Sequence, residues 1–145
     1  MESLKNFTKI GHWELNAKYT SSKVMSHLPS IGFKINDIHK NTSEVIYAFS
    51  VKDKIIYVGQ TTRKIKDRLA DYRRGFDKKQ DTDNRVKERI TELLESKKTI
   101  DIFIYRPIVN FIFNNKSIEI PISKSLEKLI IELEKPEINK EYNKG

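Results

Sequence analysis

Val45 to Tyr72 reads VIYAFSVKDKIIYVGQTTRKIKDRLADY. Two apolar runs, VIYAFSV and IIYVG, flank the polar triplet Lys52–Lys54, and a basic segment follows at once. The two-residue period of a strand puts Val45, Tyr47, Phe49 and Val51 on one face. The short polar join makes the two runs a β-hairpin. A three-residue loop, Lys52 to Lys54, sets Val51 opposite Ile55 and Phe49 opposite Tyr57, so that Tyr47 and Tyr57 become diagonal neighbours on one face. A loop of two or four residues sends them to opposite faces. The register of this turn therefore governs whatever is built on the two phenols.

The flanking sequence supplies the rest of a fold. TTRKIKDRLADYRR opens on a threonine suited to cap a helix and carries Ile65, Leu69 and Tyr72 at helical spacing. NRVKERITELLES repeats the pattern with Val86, Ile90, Leu93 and Leu94, with Asp83 or Asn84 as the cap. TIDIFIYRP alternates and stops at Pro107, which predicts a third strand. IVNFIFNNKSIEIPI predicts a second hairpin turning at Asn114–Asn115. SLEKLIIELEKP places Leu126, Leu129, Ile130 and Leu133 on one helical face and ends before Pro136. Upstream, FTKIGHWEL and IGFKI read as short strands, with Pro29 and Gly32 marking turns. Residues 1–43 are taken as an N-terminal extension packed on a core domain of residues 44–145. Strands and helices are interspersed and joined by hairpins. The expected class is α+β, with a small central, largely antiparallel sheet flanked by helices.

Composition narrows the function. The 145 residues suffice for one domain with a genuine core, and 28 Lys and Arg against 20 Asp and Glu leave a net charge of +8. Such a surplus favours a polyanionic partner. The absence of cysteine excludes disulfides and thiolate zinc sites. No apolar run approaches the roughly 20 residues of a membrane span. MESLKNFTKIGHW lacks a signal-peptide core, so a cytoplasmic location without membrane contact is expected. His12, His27 and His39 lie upstream of the hairpin without ligand spacing and read as surface or packing residues.

Few residues could carry chemistry. Arg68 and Tyr72 are four apart and share a helix face, on a helix that follows directly from the strand bearing Tyr57. Singly, they read as a solvated charge and a packing ring. Glu127, in the first part of the last long helix, is ordinary dipole compensation, or a carboxylate able to hold a divalent cation beside a phosphate. Asn139, in KPEIN past the helix end, reads as a turn residue.

Taken in order, these elements resemble the GIY-YIG nucleases. The two tyrosine motifs stand as VIY (Val45–Tyr47) and YVG (Tyr57–Gly59), followed by Arg68 and Tyr72 and by the closing LEKLIIELEKPEIN. The resemblance spans roughly residues 44–140 and departs at Val45, where the family motif has glycine. KIGHWEL, VIYAF and QDTDN are further similar to the small restriction endonucleases of that family.

The resemblance implies a metal-dependent endonuclease acting on double-stranded DNA. Tyr47 would be the general base or would orient the attacking water, its pKa near 10 brought down by a nearby cation. Arg68 would clamp the phosphate, and Glu127 would hold one Mg²⁺ or Mn²⁺. Tyr57 and Tyr72 would position phosphate or water, and Asn139 would brace the site. Arg63, Lys64, Arg73, Arg74, Lys78, Lys79, Arg85, Lys87 and Arg89 are the candidate DNA contacts. A single carboxylate argues against two metals. A palindromic target would imply a homodimer, and a restriction role implies a separately encoded DNA methyltransferase. A mobile-element or repair endonuclease, and a non-catalytic nucleic-acid-binding module of the same fold, are the competing readings.

Overall fold

A computed structural model of the chain describes residues 3–15, 31–74 and 81–142. After a short 3₁₀ turn (Ser3–Asn6) come β1 (Thr8–Leu15), β2 (Ile31–Ile35), β3 (Val45–Val51) and β4 (Lys54–Thr61). Helices α1 (Ile65–Arg74) and α2 (Asp81–Glu95) follow, then β5 (Asp101–Tyr105), β6 (Ile108–Phe113) and β7 (Lys116–Pro121). Helices α3 (Ser123–Glu134) and α4 (Glu137–Tyr142) close the described chain. The first five strands form one antiparallel sheet in the order β2-β1-β5-β3-β4. The fold is α+β, with this sheet flanked by helices, as the interspersed pattern predicts. FTKIGHWEL and IGFKI both form strands, and both enter the sheet, β1 pairing with β5 and β2 with β1.

The sheet is apolar on both faces. Val45, Tyr47 and Phe49 join Ile65, Leu69, Tyr72, Val86 and Ile90 of α1 and α2 in one cluster. Ile46, Ala48, Ile55 and Val58 join Ile130 of α3 and Phe7 in another. Alternation along β3 therefore feeds two cores rather than one, and six of its seven residues are buried. Leu126 and Ile130 of α3 meet the sheet, whereas Leu129 and Leu133 are exposed, so the expected four-residue stripe is split. Lys135, in the left-handed conformation, stops α3 just before Pro136. No helix among the described residues is long and apolar enough to cross a membrane.

The turn after β3 differs from the expected one. Its loop is two residues, Lys52 and Asp53, both at positive φ, and Val51 faces Lys54. A two-residue loop alone would carry Tyr57 to the wrong face. The register shifts by one residue between Ser50 and Phe49, where Ile56 is bulged out, and Phe49 then faces Tyr57. The bulge thus restores the side-by-side placement of Tyr47 and Tyr57, whose ring centroids are 6.4 Å apart.

The second hairpin turns at Asn114 and Asn115, again both at positive φ. It is a separate two-stranded sheet. Pairing of Phe111 with Ile118 and Val109 with Ile120 gives it one apolar face, with Phe111, Ile118 and Ile120 exposed to solvent.

Candidate active site

Three phenols meet beneath one guanidinium. Tyr47 comes from β3, Tyr57 from β4 and Tyr72 from α1, and around Phe49 the Tyr47 ring is stacked, the Tyr57 ring tilted and the Tyr72 ring edge-on. The Tyr72 hydroxyl lies 2.5 Å from that of Tyr47 and 3.2 Å from that of Tyr57. Arg68 donates from Nε to Tyr47 at 3.1 Å and from one Nη to Tyr72 at 2.9 Å. The i, i+4 spacing on α1 thus delivers an arginine and a tyrosine to one point. The four residues form a continuous hydrogen-bonded cluster.

The phenols are buried rather than set in an open cleft, since Tyr47 and Tyr72 are at most 1% exposed. Burial raises the pKa of Tyr47, and Arg68, though it works the other way, does not cancel the effect. The cation expected beside Tyr47 is present, yet the net shift is upward and the resting phenol is neutral. Burial raises Tyr57 and Tyr72 as well.

Gly59 explains the end of YVG. It faces Tyr47 across the ladder, and a Cβ there would clash with the hydroxyl end of the Tyr47 ring, against Cζ and the phenol oxygen. Gly59→Ala must push that buried ring off its partners. The variant should lose about 1–3 kcal/mol of stability, as overpacked cores do, readable as a lowered urea midpoint. An unchanged midpoint would show that the ring moves aside freely.

Asn139 is not a turn residue. It lies in α4, is buried, accepts from the Val58 N–H at 2.8 Å and donates to the Val58 carbonyl at 2.9 Å. It satisfies both backbone groups on the open edge of β4, midway between Tyr57 and Gly59.

Glu127 sits on α3 at a surface cleft lined with Gln60, Lys124, Ser125 and Lys128. Gln60 of β4 donates to Ser123 at 3.0 Å, which ties the start of α3 to the hairpin. Burial raises the Glu127 pKa, opposed by Lys128 and Arg68. Its charge is felt at Tyr47 and Tyr57, so the carboxylate and the phenols belong to one electrostatic neighbourhood. No group of three or more metal-ligating side chains occurs among the described residues.

The expected DNA-contact cations separate into several kinds. Lys64 and Arg85 are exposed. Arg63 pairs with Asp71, Arg89 with Glu137 and Glu92, and Arg73 lies over the Phe33 ring at 5.7 Å. Lys87, expected among the DNA contacts, is instead buried, and burial lowers its pKa to about 8. An ammonium so placed is not on the surface a duplex would meet. Lys78, Lys79 and the side chain of Arg74 lie outside the described residues, as does His27.

Two carboxylates escaped the sequence reading. Asp83, read only as a helix cap, lies within the first turn of α2, buried, with both oxygens 3.1 Å from Arg68. Asp71, one position before Tyr72, reaches the same guanidinium at 3.4 Å. Lys124 and Lys128, which flank Glu127 on the cleft, were also missed. Their i, i+4 spacing around SLEKL was the available signal.

No family model matches the chain. No curated protein matches it in sequence. Solved structures do share its fold. A mutant of EndoII from bacteriophage T4 aligns over 94% of this chain and 95% of its own, with a TM-score of 0.65 and 20% identity. The restriction endonuclease HPY188I in complex with product DNA aligns over 91% of this chain and 75% of its own, with a TM-score of 0.55 and 17% identity. The chain is built on the fold of these two nucleases.

Proposed function

We propose that the chain is a GIY-YIG-type DNA endonuclease that hydrolyses phosphodiester bonds in double-stranded DNA with one divalent cation, as a type II restriction endonuclease. The observation that carries the reading is the Arg68 guanidinium bound to the hydroxyls of both Tyr47 and Tyr72, with Glu127 on the neighbouring α3 cleft within its electrostatic reach. The fold shared with a phage nuclease and a restriction endonuclease supports it. So does the net charge of +8.

Phosphodiester hydrolysis concentrates negative charge on phosphate and leaving oxygens, so fixed cations and donors do most of the work. The donor set suits a hard cation: one carboxylate on an open cleft matches Mg²⁺, which keeps several waters and binds one or two carboxylates beside phosphate. Glu127 would hold it, and its contribution when bound is to polarise the phosphate and stabilise the departing oxygen. Lys124 and Lys128 flank the carboxylate and would receive phosphate charge. Tyr47, a neutral phenol in the resting protein, would orient water through its hydroxyl, and Tyr72 and Tyr57 would fix that hydroxyl in place. Asn139 would hold β4 straight beneath them.

Purified protein incubated with plasmid and Mg²⁺ tests the reading. Discrete fragments support restriction, a smear supports non-specific cutting, and DNA left intact with both Mg²⁺ and Mn²⁺ overturns the assignment as an enzyme. A mobile-element or repair endonuclease is the second reading, and the fuller alignment with the bacteriophage protein EndoII, over 95% of its length against 75% of HPY188I, weighs toward a role outside restriction.

The exposed cations give a further expectation. Lys64→Gln combined with Arg85→Gln should weaken binding to all duplexes alike and flatten log Kd against log salt by about two units. An unchanged slope would place the DNA on another face.

A further inference from the structure

Two flanks of α1 carry different chemistry. Arg68 and Tyr72 share the flank that meets the phenols, whereas Lys66, Ala70 and Arg73 fall together on another, Lys66 lying about 200° round the axis from Arg68. That second flank borders an open groove of about 650 Å³. Across it stand Phe33, Lys34 and Ile35 of β2, the outermost strand of the sheet, and the segment after β2 adds Lys40. Four cations, Lys34, Lys40, Lys66 and Arg73, thus line the groove against one carboxylate, Asp67. Among the described residues no ion pair engages Lys34 or Lys66. Lys40 meets Asp37 at 3.3 Å, but the Asp37 side chain is 93% exposed, and so open a pair is worth little.

The rest of the lining is apolar. Phe33 and Ile35 pack on the core, and Ala70 adds a methyl group. Arg73 lies over the Phe33 ring, which holds that cation in place. The two walls are tied together before any ligand arrives. The Ile65 N–H donates to the Thr42 carbonyl at 2.9 Å and the Lys66 N–H to that of Lys40 at 3.2 Å, joining the segment after β2 to the first turn of α1. A groove fixed in this way loses little freedom on binding.

We propose that this groove is a further DNA-binding site, which holds one sugar–phosphate strand of a duplex away from the bond that is cut. Such a strand alternates anionic phosphates with the less polar edges of its sugars, and cations around an apolar lining match both. The sheet order puts β2 three strands from β3, about 14 Å at the usual strand spacing. At about 3.4 Å of axis per base pair, the backbone held here lies about four or more base pairs from Tyr47. The inference takes DNA as the ligand from the endonuclease reading, but it does not depend on cleavage.

Fluorescence anisotropy with a labelled duplex of two helical turns, in the absence of divalent metal, tests it. Lys34→Gln combined with Lys66→Gln should weaken binding about tenfold at low salt and flatten log Kd against log salt by about two units. Lys54→Gln combined with Lys98→Gln removes the same charge from exposed positions outside the groove and should leave the slope nearly unchanged. Equal effects of the two pairs, or no effect of the first, overturn the proposal.

The chain has no cysteine, so one introduced thiol can report on the groove directly. Duplex DNA should slow maleimide labelling of Lys66→Cys about fivefold or more and leave that of Lys98→Cys unaltered. An unaltered rate at Lys66→Cys overturns the proposal, and better shielding by a single strand than by a duplex overturns the choice of ligand. A parental protein that binds duplex DNA without cutting it removes the endonuclease reading and leaves the groove assigned. One that does not bind duplex DNA at all removes the groove.

Discussion

Glu127→Gln is expected to abolish cleavage in Mg²⁺ while leaving DNA binding in place. Glutamine keeps the shape of the side chain and loses the charge that a hard cation requires. Affinity for the duplex comes mainly from Lys and Arg on phosphates, so Kd should move little. The change should not cost stability either. Burial raises the Glu127 pKa in the folded state, so at any pH above both folded and unfolded values the fold bears the expense of an ionised carboxylate. The amide relieves it, and the variant should melt at or slightly above the parental temperature. The same shift predicts that cleavage by the parental protein declines with falling pH before an ordinary glutamate would protonate. Substantial cleavage by the glutamine variant would remove Glu127 as the metal ligand.

Tyr47→Phe is the second large effect. It preserves the ring against Phe49, Tyr57 and Tyr72 and deletes one hydroxyl. Arg68 Nε and the Tyr72 hydroxyl each lose a partner in a buried setting, a loss of about 1–3 kcal/mol for an unsatisfied group. A folded but less stable protein is therefore expected, with cleavage down about 10²-fold or more and DNA binding near normal. A variant that cuts at the parental rate would return Tyr47 to the core and move the chemistry to Tyr57 or Tyr72.

Much of the fold was legible because its signals are local. Alternation in TIDIFIY and the Asn114–Asn115 pair needed no tertiary information to read as β5 and the β6–β7 turn. The i, i+4 placement of Arg68 and Tyr72 was equally plain, and the hydrogen bonds to Tyr47 follow once α1 packs on β3. What the sequence hid was set by packing between distant segments. Nothing in Lys52 or Asp53 announces positive φ, so the sequence pattern implies a loop one residue too long. Leu129 and Leu133 have the spacing of buried residues, but α3 meets only part of the sheet and leaves them in solvent. Asp83 looked like any acidic residue near a helix start, and its partner lies fifteen positions away on another helix. Burial of the phenols, which reverses the direction expected for the Tyr47 pKa, is a property of the assembled core alone.

The β3–β4 hairpin resembles a gene that carries a frameshift and its own suppressor. The turn is one residue short for the register that the phenols need, and the strand after it is one residue long, at Ile56. The two faults cancel before Tyr57 is reached. Descendants of this chain can therefore move the surplus residue from strand to turn and still bring Tyr57 opposite Phe49, provided an apolar side chain keeps the buried place of Ile56. The tip of the hairpin is free to drift in length and composition while the spacing from Tyr57 to Gly59 and Arg68 is held. Related chains are then best aligned outward from the tyrosines, with gaps placed at the turn.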